Sequence, residues 1–120
     1  MPFSIHYVAI FACYFCLFAG LAGLIKPNLV AKRVGLKAIN SMGIMEIRCM
    51  FGGLFIGLSI TCLISGATFA YLAFSSVWLG GAAAKYIALY IDKPPFKAAF
   101  TSASFDAFIG LALLSGYYIQ

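Results

Sequence analysis

The chain has 120 residues, 64% of them hydrophobic and 9% charged, with a formal net charge of +5. A soluble domain averages about 25% charged residues, and a small one buries only about two-thirds of its surface. The composition therefore excludes an ordinary soluble domain, and the length permits one domain whose solvent is lipid.

The first apolar run covers residues 5–25. It is long enough for a helix through a bilayer core, which takes about 20 apolar residues. It stops at Lys26-Pro27, a charge followed by a residue without a backbone N–H. No Lys or Arg precedes Lys26, so the run lacks the basic leading region of a secretory signal and reads as a retained span. Cys13 and Cys16 within it form a C-x-x-C. Like Cys49 and Cys62 they lie in apolar sequence, and all four read as buried thiols that behave as small hydrophobes.

Residues 28–41 alternate Lys32, Arg33 and Lys37 with Leu29, Val30, Val34, Leu36 and Ile39. The segment is too short and too charged to span, and its pattern predicts a short interfacial helix between the first two spans. Asn40 and Ser41 offer caps for the next helix. From Cys49 to Ala84 there is no charge over 36 residues. One helix of that length would measure about 54 Å, against a hydrocarbon core of about 30 Å. The chain must fold back, and Ser65-Gly66 is the place for the turn. Spans two and three are expected at 43–64 and 67–91. Asp92-Lys93-Pro94-Pro95 breaks the third helix, and a fourth span follows at 97–119. The expected fold is an all-α integral membrane bundle of four transmembrane helices, a single domain over residues 1–120.

Four antiparallel spans would put the 26–42 and 92–97 segments on one side of the membrane. Lys26, Lys32, Arg33, Lys37, Lys93 and Lys97 then all flank spans on that side, and no charge lies on the other. The positive-inside rule makes the basic side cytoplasmic and both termini non-cytoplasmic, in an inner (plasma) membrane. Anionic lipid headgroups, not nucleic acid, are the expected partners of these basic loops. Tyr7, Tyr117 and Tyr118 are suited to anchor the opposite interface. His6 beside them is the sole histidine, so it reads as an interfacial polar group and no metal site is expected.

Four ionisable residues fall inside spans: Glu46, Arg48, Lys85 and Asp106. Each costs about 2.5–3.5 kcal/mol at a helix centre, and such residues normally face the bundle interior and pair. Their depths from the basic side, about 8–14 Å at 1.5 Å per residue, allow one polar layer. Gly53 and Gly57 follow Glu46 on a 3.6-residue face, Gly81 precedes Lys85 by four, and Ser102, Asp106 and Gly110 repeat every four. The glycines at 53, 57, 81 and 110 are therefore the expected close-packing positions. Glu46, Lys85 and Asp106 are expected to cluster there, with Arg48 at the edge or nearer the headgroups. Trp78, seven residues before Lys85, is expected to pack inward.

At these residues the chain resembles a family of small bacterial four-helix membrane proteins catalogued as domain of unknown function 4345. The resemblance rests on Pro27 after span one, Glu46-x-Arg48 with Gly52-Gly53 and Gly57, a basic residue late in span three, Asp92 with Pro94, and an acid in span four. This chain has Lys85 where the family has Arg, and Asp106 where it has Glu. The family is similar in architecture to DoxX-like bundles and implies no established activity.

Zinc-ligand spacing, a Ser/His/Asp arrangement and phosphate-binding loops are all missing from the sequence. The expectation is a protein without catalytic activity or cofactor: an accessory or assembly subunit within a homo-oligomer or a larger membrane complex. The alternative is a small transporter or ligand-binding bundle that uses the Glu46, Arg48, Lys85 and Asp106 layer.

Overall fold

The computed structural model describes the backbone of residues 2–118 and the side chains of residues 7–117. His6 and Tyr118, two of the expected interface residues, lie outside the described side chains. Among the described residues the chain is all helical. The helices are α1 (Pro2–Ile25), α2 (Pro27–Arg33), α3 (Ser41–Arg48), a π-helical turn (Cys49–Gly53), α4 (Leu54–Ser65), α5 (Thr68–Ile91) and α6 (Phe96–Tyr118). Four stretches are long and apolar enough to cross a membrane: Tyr7–Ile25, Ser41–Ser65, Thr68–Ile91 and Phe96–Tyr117. They fall within a few residues of the four expected spans.

The segment after span one differs from its expectation. Helix is confined to Pro27–Arg33, and residues 34–40 are not helical. Gly35 is the cause. It takes a left-handed φ of +80°, and the Leu36 N–H donates to the Ala31 carbonyl at 2.7 Å while the Gly35 N–H donates to Lys32 at 3.1 Å. This is a Schellman stop, which satisfies the last carbonyls of a helix through a left-handed residue. Asn40 then starts α3, its side-chain oxygen accepting from the Gly43 N–H at 3.0 Å. Gly66, with φ +60°, ends α4 at the expected turn.

The chain divides into two compact units, one formed by Cys13–Gly66 and the other by residues up to Ala12 together with those from Ala67 onward. In the first unit α1 runs against the π turn and α4. A Cβ on Gly20 would come within 3.0 Å of the Gly52 carbonyl oxygen, and one on Gly52 within 2.9 Å of the Leu24 backbone nitrogen. A Cβ on Gly23 would meet the Phe51 carbonyl. Cys13, Cys16, Ser59 and Cys62 complete this contact, all fully or almost fully buried. The Cys13 thiol is hydrogen-bonded to Cys62 across this contact.

In the second unit α5 and α6 form an antiparallel hairpin. Tyr71 faces Gly116 and Leu79 faces Gly110; a Cβ on either glycine would come within 2.7 Å of that partner. Ala9 of α1 also meets Gly116. The buried side chains in both units are mostly small, while large ones such as Phe11 (76% exposed) and Phe69 (71%) point outward. This inverts the arrangement of a soluble protein. It suits lipid, where helices gain little by hiding apolar groups from the solvent and associate through close van der Waals packing of small residues.

Candidate functional site

The packing of the second spanning stretch depends on the π turn. Its inward residues are Ile47, Gly52, Ser59 and Cys62. The steps from Gly52 onward are seven and three, as in an α-helix. The step from Ile47 to Gly52 is five, the spacing of an i→i+5 turn. The turn holds one residue more than an α-turn, which brings Gly52 onto the inward face of Ile47, while Glu46 lies on the outward face. Gly53 and Gly57, expected as packing positions, are exposed, and a Cβ on either would meet nothing within 4 Å. Gly52, one residue earlier, makes the contact in their place.

The same register turns the Arg48 guanidinium toward the end of α1, where Nη1 donates to the Leu24 carbonyl. The last carbonyls of a helix have no partner within it, and Pro27 cannot supply an N–H to this end of α1. A cation here satisfies a carbonyl and opposes the negative end of the helix dipole. Arg48 is thus the C-terminal cap of α1. Glu46, two residues earlier, is exposed and has no ion-pair or hydrogen-bond partner within its own unit.

Lys85 and Asp106 meet within the other unit. Lys85 Nζ lies 2.7 Å from Asp106 Oδ2, and it also donates to Ser102 Oγ at 2.8 Å. Ser102 and Asp106 stand four residues apart on one face of α6, so a single lysine on α5 reaches both. The Asp106 side chain is 14% exposed and that of Lys85 39%. The acid is therefore held inside the hairpin and the base lies at its edge. An ammonium carries three N–H donors; two are engaged, and the third has no partner among the described residues.

Around the pair, Gly81 leaves room for the carboxylate: a Cβ there would be 3.9 Å from Asp106 Oδ2, an ordinary contact. Gly110 is the tight position of this face. Trp78 packs edge-on against Phe105 at 6.5 Å with its indole nitrogen buried. Next to Lys85 on α5, the Tyr86 hydroxyl and Ser104 Oγ are hydrogen-bonded at 2.9 Å. In the sequence Ser102 stands out only as part of a helical stripe, and Ser104 does not stand out. A hydroxyl near a charge within an apolar helix is the signal that marks such residues.

The four ionisable residues of the spans therefore fall in two places. Glu46 and Arg48 belong to the Cys13–Gly66 unit, with Arg48 bound to backbone. Lys85 and Asp106 form an ion pair in the α5–α6 hairpin. Among the described residues no group of three or more His, Cys, Asp or Glu side chains could hold a metal ion. No protein-family model, no curated protein and no solved structure matches the chain.

Proposed function

We propose that this chain is a small multi-pass membrane protein that acts without catalysis, as an accessory or assembly subunit of a larger membrane complex. The exposed Glu46 carboxylate on the second spanning stretch carries this reading. Lys85 and Asp106 neutralise each other and Arg48 is engaged by a helix end, but Glu46 has no partner within its unit. An acid in a span is costly unless a cation or polar group meets it. A basic or hydrogen-bonding side chain on a neighbouring membrane protein, or on a second copy, supplies what it lacks. The one-sided distribution of Lys26, Lys32, Arg33, Lys37, Lys93 and Lys97 supports an inner-membrane orientation with both termini away from the cytoplasm.

The test is a photo-cross-linking amino acid at position 46, activated in intact cells, with one at the lipid-facing Phe108 as control. A discrete cross-linked product at 46, reduced by competition with the wild-type chain, is the expected result. Cross-links to lipid alone at both positions would overturn the reading.

A second reading has its own observation, the third Lys85 N–H at the edge of the hairpin. That donor suits an anionic or hydrogen-bond-accepting ligand in a transporter or binding protein. Liposome flux or ligand binding that disappears in Lys85→Met and persists in Glu46→Gln would favour it over the first.

A further inference from the structure

The end of the α5–α6 hairpin carries a second site. Tyr86, Leu89, Tyr90, Phe96 and Phe100 line a half-open cleft of about 570 Å³. Phe96 and Phe100 stack at 5.5 Å, and Phe100 meets the Tyr86 ring edge-on at 5.8 Å. The hydrogen bond to Ser104 fixes Tyr86 from behind. The walls are thus preorganised, although Tyr90 and Phe96 remain largely exposed. Ligand clefts commonly fall in the range of about 300–1,000 Å³, with apolar walls and a few convergent polar groups.

The connection beside this cleft is basic. Lys93 lies three residues after Tyr90, Lys97 follows Phe96, and Asp92 is the single acid among them. Lys93 has a positive φ of 49°, the sole non-glycine residue with one among the described residues. That conformation after a helix end ordinarily belongs to glycine. A lysine kept there at a cost in backbone strain points to use of its side chain. An aromatic wall beside lysines at the end of a spanning hairpin matches the membrane interface, where rings sit at headgroup level and basic residues attract anionic lipid.

We propose that this cleft is a binding site for one anionic phospholipid, an acyl chain lying against Phe96, Phe100 and Tyr90 and the phosphate held by Lys93 and Lys97. The assignment rests on the membrane reading above and not on the role assigned to Glu46. The net positive charge of the connection selects an anionic over a zwitterionic headgroup, and the apolar wall distinguishes a lipid from a free phosphate.

The test is native mass spectrometry of the full chain, delipidated in mild detergent and titrated with dioleoyl phosphatidylglycerol or dioleoyl phosphatidylcholine. One phosphatidylglycerol is expected to bind about tenfold more tightly than phosphatidylcholine, the factor that corresponds to about 1.4 kcal/mol. Lys93→Gly removes the amine and relaxes the backbone, so loss of that preference in this variant is not a folding defect. Lys97→Gln should lower it too, and Phe100→Ala should weaken both lipids. Lys32→Gln, in the other compact unit, should leave the preference intact. Glycerol 3-phosphate at millimolar concentration should not displace the lipid. Equal affinity for the two lipids, or a preference that survives the double change Lys93→Gly and Lys97→Gln, would overturn the site. Extraction of the chain from membranes by alkaline carbonate would instead overturn the membrane reading beneath it.

Discussion

Lys85 on α5 bonds both to Asp106 at 2.7 Å and to Ser102 at 2.8 Å, two positions one turn apart on α6. The ammonium therefore ties the two helices of the hairpin at one level. Removing it leaves the nearly buried carboxylate of Asp106 without its cation. Lys85→Met should lower stability by about 1–3 kcal/mol, the usual cost of an unsatisfied buried group. Asp106→Asn as a second change should recover part of that loss, because it removes the stranded charge. Glu46→Gln as the second change should recover none. Reversible unfolding in mixed micelles checks this, and strictly additive effects of Lys85→Met and Asp106→Asn would show that the two groups do not interact.

Arg48 caps the last turn of α1 at Leu24. Arg48→Leu should open that turn at a cost of about 1–2 kcal/mol, the scale of a favourable charge at a helix end. Arg48→Lys should retain part of it. Amide hydrogen exchange of the last turn of α1 is the measurement, and protection equal to wild type in Arg48→Leu would contradict the cap.

The glycines divide into two classes that the sequence does not distinguish. Gly52→Ala and Gly23→Ala place a methyl against backbone atoms of the facing segment, which cannot swing aside. Each should destabilise by about 1–3 kcal/mol, as overpacking does. Gly57→Ala meets open space. It should be neutral or stabilise by up to about 1 kcal/mol through helix propensity. Thermal melts of the three variants in one detergent give the order, and loss of stability in Gly57→Ala alone would reverse the packing described for this unit.

Lys93 stands where glycine is the easier residue. Lys93→Gly should raise stability by about 1 kcal/mol, since a left-handed conformation costs a side-chain-bearing residue roughly 1–2 kcal/mol. The same change should abolish the preference for phosphatidylglycerol. A melting temperature below that of wild type would contradict the strain at this position.

The four spanning lengths were legible in the sequence, because each rests on a local quantity. An uncharged run either matches the bilayer thickness or exceeds it, and Lys26-Pro27, Ser65-Gly66 and Pro94-Pro95 can each end a helix without help from the rest of the chain. The presence of ionisable groups in the spans was legible for the same reason. Their partners were legible only in part. The face of Lys85 and the stripe of Ser102 and Asp106 follow from regular α-helical periodicity, so that meeting could be anticipated along uninterrupted helices. Glu46, Arg48, Gly53 and Gly57 straddle Cys49–Gly53, where one turn is wound with i→i+5 bonds. One additional residue there moves Gly52 into the contact on the face of Ile47, and Glu46, Gly53 and Gly57 share the outward face. Nothing in Cys-Met-Phe-Gly-Gly specifies that winding by itself. It accompanies the close approach of α1 through Gly20 and Gly23, a tertiary contact between residues some thirty positions apart. The short α2 shows the opposite case. Gly35 was visible, but charge and apolar alternation continues past it to Ile39, and only the left-handed φ with its paired hydrogen bonds shows that the helix stops. Periodicity reports which face a residue occupies while a helix stays regular; where packing changes the winding, the tertiary contact decides the face.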